Sequence, residues 1–277
     1  MERAYHQDSQ ACLNCGTVPA GRWCQNCGQK SGPAHRSVLD LMRELAELTT
    51  HADSRLWRTM TALVLRPATL TRDFLLGRRA SQIPPLRLFF VVLLVLFTAG
   101  SLTRHGMVSV DLPAADRQQV EKAINGIHTR SPRLEAWLKP HLLRAVNKPE
   151  AVVEVIREWL ERFTLLMLPI AASLLWVLTV GVRPRFTFFD HMIFATHSLS
   201  FAGLVQIAVF LLGTLIPASG VLLLVLPVHL FRHMRGVYGG GVALTLLRMT
   251  ILGLGSLFAV AVLFVILAWM GLQFAAD

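Results

Sequence analysis

Charge is what this chain has least of. Only 16% of its 277 residues are Asp, Glu, Lys or Arg, against about 25% in an ordinary soluble domain, and from Met192 to Phe231 none of the four occurs. Acidic residues are scarcer than basic ones, 17 against 27. Cysteine is limited to four, all between Cys12 and Cys27. Signatures of catalysis are missing as well: there is no Gly-x-Ser-x-Gly elbow, no His-Glu-x-x-His, no P-loop and no carboxylate pair within an apolar run. These absences exclude an ordinary soluble enzyme. What is abundant is apolar surface, at 53% hydrophobic residues, and the chain reads as an all-α, polytopic membrane protein with no enzymatic role.

The net charge of +10 would suit nucleic acid, but the basic residues fall between the apolar runs and no recognition module accompanies them. They read as topology signals and contacts for anionic headgroups. The first run shows the pattern. Arg78, Arg79 and Arg87 precede an uncharged stretch from Leu88 to Thr103, and with Arg87 snorkelling, residues 86–103 form a first span with the arginines on the cytoplasmic side. Those three arginines are the expected headgroup contacts. Residues 104–162 carry near-balanced charge and a largely helical pattern, as an extracytoplasmic helical loop would. Val152, Ile156, Trp159 and Phe163 continue straight into the next apolar run, which predicts one helix from about Pro149 through the second span, 163–182.

The uncharged run from Met192 to Phe231 would be about 60 Å long as one helix. It therefore reads as two spans, 192–214 and 217–231, with Pro217 to Gly220 as a tight outer turn. Arg232, Arg235, Gly236, Gly239 to Gly241 and Arg248 then read as a basic loop before a final span, 249–274. Together with 163–182 these make a four-span region over 163–277 and five crossings in all. The N-terminus, which opens with no apolar signal sequence, should be cytoplasmic and the C-terminus periplasmic.

The cysteines form two knuckles, Cys12-Leu13-Asn14-Cys15-Gly16 and Cys24-Gln25-Asn26-Cys27-Gly28. Two residues between thiols let both sulfurs face one ion, and a glycine after each pair lets the backbone turn. Four thiolates suit a tetrahedral, structural zinc in a ribbon spanning residues 1–32; disulfides or a redox pair are the competing readings. Residues 33–85 follow as cytoplasmic amphipathic helices. One is expected after Ser37, one carries Leu56, Trp57, Met60, Leu63 and Val64, and one carries Leu70, Phe74 and Leu75. They suit packing on one another, on the ribbon, or in the inner headgroup layer.

Within the spans the ionisable candidates are Asp190, His191, His197, His229 and His233. Antiparallel neighbours would bring His197 and His229 to similar depth, where such a cluster could bind a metal, relay protons or hold a headgroup. Interfacial histidines that merely bond nearby carbonyls are the plainer reading.

Several stretches carry a resemblance: Cys24 to Lys30, Arg66-Pro67, Gly77-Arg78-Arg79 with Pro84-Pro85, Asp190 to His197, and the residues around Arg235 to Tyr238. Together they resemble an uncharacterised bacterial inner-membrane family, a domain of unknown function with an N-terminal zinc ribbon and several spans. The layout is similar, more weakly, to Yip1-type five-span proteins. The resemblance implies an inner-membrane location and no particular activity. A membrane adaptor whose ribbon contacts a cytoplasmic protein is the first expectation; permeation of a metal, proton or lipid through the histidines is the second.

Overall fold

The computed structural model describes residues 11–30, 54–104, 113–128, 130–147, 149–179 and 186–274. The helix expected after Ser37 lies outside them. Among the described residues the structure is helical, with an isolated antiparallel bridge between Trp23 and Lys30. The helices are α1 (Ser54–Leu65), α2 (Pro67–Leu75), α3 (Pro85–Arg104), α4 (Ala114–Asn125), α5 (Pro132–Asn147), α6 (Pro149–Thr179), α7 (Phe188–Gly213), α8 (Val225–Tyr238) and α9 (Val242–Phe274), with a 3-10 segment, Pro217–Leu224, leading into α8.

Local chemistry sets the boundaries. Pro67 has no N–H to continue α1, yet its fixed φ suits the first position of α2, so the chain breaks at Arg66 (φ −136°) and restarts at once. α2 closes at Gly77, whose φ of +83° is left-handed. The Arg78 amide there bonds Asp73 O at 2.9 Å, the six-to-one bond of a Schellman ending. α7 opens on a capping box in which the Thr187 amide donates to Asp190 Oδ2 at 2.7 Å and the Asp190 amide to Thr187 Oγ1 at 3.4 Å.

Among the described residues four helical segments are long and apolar enough to cross a bilayer: Pro85–Leu102, Phe188–Gly213, Ala218–Tyr238 and Val242–Leu267. Thr164–Thr179 is a shorter apolar helix, the end of the continuous α6 that the Val152 to Phe163 stripe predicts. Two expectations need correction. The turn after α7 is made by Thr214–Ile216, where the Ile216 amide bonds Leu212 O at 2.7 Å; the Pro217 to Gly220 stretch winds as 3-10 helix, tied back to α7 by Ser219 Oγ donating to Val209 O at 3.3 Å. The basic stretch Arg232 to Tyr238 is helix rather than loop: Gly236 lies inside it without breaking it, and the helix ends only at Gly239 and Gly240, at φ +66° and +102°.

The chain divides into two compact units, one of residues up to Leu102 with Leu168–Gly253, the other of Thr103–Met167 with Leu254–Asp277. In the first, one apolar cluster gathers Phe74, Phe89, Leu175, Ile193, Phe194 and Met234, and another gathers Leu63, Leu70, Leu88, Val92, Phe201 and Ile207. The α1–α2 hairpin is thus part of the bundle and contributes to both clusters. Two glycines permit close helix approach. A Cβ on Gly203 would sit 2.6 Å from Val92 Cγ1, and one on Gly236 would overlap Ala68 Cβ. In the second unit Trp137 stacks on Trp269 at 4.2 Å and on His141 at 4.4 Å.

Candidate functional site

The knuckles fold as two copies of one turn. In the first, the Gly16 amide bonds Cys12 O and the Cys12 amide bonds Thr17 O, both at 2.8 Å; in the second, Gly28 bonds Cys24 O and Cys24 bonds Gln29 O, again at 2.8 Å. Each turn needs its glycine, at φ +75° for Gly16 and +70° for Gly28. Gln25 pins the connecting loop by accepting from the Ala20 amide and donating to Val18 O, both at 3.1 Å.

The geometry brings all four sulfurs within 4.8 Å of one another. The pairs Cys12–Cys27 and Cys15–Cys24 stand at 3.5 Å, far beyond the roughly 2.05 Å of a disulfide and near the edge of about 3.8 Å that a tetrahedron of 2.3 Å Zn–S bonds implies. All four thiols are free. The donor set therefore fits a metal ion, and among the described residues it is the one group of three or more His, Cys, Asp or Glu whose ligand atoms converge. The Thr17 hydroxyl and backbone hold the Cys15 thiol down from 9.0 to about 6, whereas burial raises Cys27 to about 11. The first thiolate is easily formed; an ion would stabilise the rest. Cys12→Ser with Cys15→Ser should abolish stoichiometric metal in the purified chain, read by elemental mass spectrometry. Metal retained at the wild-type level would refute the site.

The knuckle pair is seated on the turn after α2. The Gln29 side chain donates from Nε2 to Gly77 O at 2.8 Å and accepts the Arg79 amide at Oε1 at 3.0 Å. Arg79 in turn lies over the Phe74 ring at 4.2 Å. Gln29→Leu removes both bonds, at about 0.5–1.5 kcal/mol each. Exchange of the Arg79 amide should quicken about tenfold with metal content unchanged; unchanged exchange would show that the amide clamp holds nothing.

The ionisable candidates of the apolar runs separate into three arrangements. Asp190 caps α7 as described above. His191 bridges helices, with Nε2 3.0 Å from Thr179 Oγ1 on α6 and Nδ1 2.8 Å from the Tyr238 hydroxyl on α8. Because the Thr179 hydroxyl donates to Leu175 O at 2.9 Å, it accepts from His191 Nε2–H, and Tyr238 donates to Nδ1 when the ring is neutral. His197, His229 and His233 all turn toward the α1–α2 hairpin. One hydroxyl, Thr71 Oγ1 on α2, lies 2.8 Å from His197 Nδ1 and 2.7 Å from His233 Nε2. His233 Nδ1 stands 3.0 Å from Ser198 Oγ, and its ring stacks on Phe194 at 4.1 Å. Thr71 has one proton to give, so at least one of the two rings supplies an N–H to it or leaves that bond unmade.

His229 Nε2 is 2.8 Å from Leu63 O. A carbonyl only accepts, so this nitrogen carries the hydrogen. Leu63 belongs to the last turn of α1, and its carbonyl lacks an intrahelical partner because the residue four positions on is Pro67, which has no N–H. Arg232 serves the same helix end, donating from Nη2 to Leu65 O at 3.1 Å. His229, Arg232, His233 and Gly236 recur on α8 at positions i, i+3, i+4 and i+7, one helical face. That face caps α1, bonds Thr71 and admits Ala68.

Thr71 thus joins His197 to His233, whereas His229, the expected neighbour of His197, bonds Leu63 O. Thr71, Ser198, Thr179, Tyr238 and Gln29 make tertiary contacts that sequence reasoning missed, and Gly236, expected in the basic loop, lies on the histidine face of α8. A faint signal existed in the α8 spacing, since a glycine one turn beyond His233 on the histidine face marks a contact.

Residues 53–97 match a family described as a protein of unknown function, DUF3667; that segment holds α1, α2 and most of α3, including Leu63, Thr71 and Gly77. No curated protein and no solved structure matches the chain.

Proposed function

We propose that this chain is a non-catalytic membrane adaptor that displays a zinc-stabilised ribbon, through residues 1–32, to a cytoplasmic protein. The observation that carries the reading is the amide clamp of Gln29 on Gly77 and Arg79. It ties the ribbon to the end of α2, and α2 is tied to α7 and α8 through Thr71. A head so mounted is held at a defined place on the bundle. Leu13, Val18 and Trp23 remain exposed on it as a recognition surface.

In this reading the chain crosses a bacterial inner membrane five times, N-terminus inside and C-terminus outside. The apolar end of α6 supplies the fifth crossing. Support for the short fourth crossing comes from its 8-residue 3-10 segment: at about 2.0 Å per residue, and with α8 to Phe231 at 1.5 Å per residue, it reaches about 26 Å, close to the roughly 30 Å hydrocarbon thickness. Arg78, Arg79 and Arg87 then stand beside inner-leaflet headgroups. The permeation alternative gains nothing from the imidazoles, which are engaged with hydroxyls and a carbonyl of neighbouring helices.

A photocrosslinking residue at Trp23 in intact cells tests the proposal. A discrete protein adduct is expected, lost when Cys24 and Cys27 are replaced by serine while the chain stays membrane-inserted. Adducts to lipid or to the chain itself alone would reject the adaptor reading.

A further inference from the structure

The α1 helix has a second face that the bundle does not use. Its inner side places Leu63 in a cluster with Leu88 and Val92 of α3 and Phe201 of α7. Its outer side leaves Trp57 77% exposed, Leu65 57% and Val64 44%, flanked by the exposed arginines Arg55, Arg58 and Arg66. From Ser54 to Arg72 the chain has no acidic residue.

Depth decides what meets this face. Leu88 and Val92 belong to the first turns of a helix long and apolar enough to cross a bilayer, and Phe201 lies in the middle of another. A helix packed against both lies alongside two spans, so its far side meets lipid. Tryptophan beside aliphatic side chains and arginines matches the boundary between acyl chains and anionic headgroups. Arg232 and His229 fix the end of this helix by holding Leu65 O and Leu63 O, so the face is presented without further ordering.

We infer that the outer face of α1 is an anionic-lipid-binding surface, with Trp57, Val64 and Leu65 set into the acyl boundary and Arg58 and Arg66 on headgroup phosphates. The inference rests on the membrane-crossing reading and is independent of the ribbon's partner. Its occupant is the bilayer, and protein capture is the competing outcome.

The full chain, carrying benzoylphenylalanine in place of Trp57 or of Leu94, would be irradiated in nanodiscs of phosphatidylcholine with a minority of phosphatidylglycerol. Leu94 is 69% exposed within α3 and reports the crossing itself. Lipid adducts are expected at both positions. At Trp57 alone, phosphatidylglycerol should be enriched several-fold over its share of the bilayer, falling to parity in Arg58→Gln/Arg66→Gln. Lipid adducts at Leu94 with none at Trp57, or protein adducts at Trp57, would overturn the inference. Lipid adducts at Trp57 without enrichment, or enrichment indifferent to the arginines, would overturn its anionic selectivity. Failure at Leu94 would instead overturn the crossing on which it rests.

Discussion

Gly236→Ala should destabilise the chain by about 2–3 kcal/mol, near the upper range for overpacking, although alanine is the better helix former. The reason is local. The new Cβ would overlap Ala68 Cβ, and alanine has no torsion that could swing it aside, so α2 and α8 must part. Parting strains every bond of that face: His233 to Thr71, His229 to Leu63 O and Arg232 to Leu65 O. Adding Ala68→Gly to the variant removes the obstructing methyl and should restore most of the loss, less at most about 1 kcal/mol for a glycine in a helix. Thermal unfolding of the four members of this cycle in detergent gives the coupling directly. Additive effects would mean that the two residues are not opposed.

Thr71→Val is the second large effect. Valine keeps the shape, but His197 Nδ1 and His233 Nε2 lose the hydroxyl they share in a buried site. An unsatisfied buried group costs about 1–3 kcal/mol, so a loss of about 2–4 kcal/mol is expected for the pair. Thr71→Ser, which keeps the hydroxyl, should lose much less. Hydrogen bonds between membrane helices often contribute only about 0.6 kcal/mol, which makes the comparison decisive. Valine and serine variants of equal stability would show that packing, and not the bridge, holds α2.

Much of the local structure was legible in sequence because it obeys local rules. The apolar spacing of Leu56 to Val64 and of Leu70 to Leu75 marks α1 and α2, and the stripe from Val152 to Phe163 marks the continuity of α6. The cysteine spacing marks the convergent sulfurs. Of the bonds between the helices, only the histidine side was marked in the sequence. Thr71 is one threonine among several, and what singles it out is a bond across 162 positions to His233. Gln29 looks like any polar residue after a knuckle until the Gly77 turn is brought beside it. Asp190 adjoins His191 in sequence, but its carboxylate accepts the Thr187 amide and caps α7. The 3-10 winding of Pro217–Leu224 has no periodic signature in so apolar a run.

Hydrogen exchange of residues 54–76, in the full chain in lipid nanodiscs, bears most directly on the idea that the hairpin and the bundle form one mount for the ribbon. Protection of the α1 and α2 amides comparable to that of α7, collapsing in Thr71→Val, is the expected result. Exchange of those amides within seconds in the wild-type chain, with α7 still protected, would contradict it.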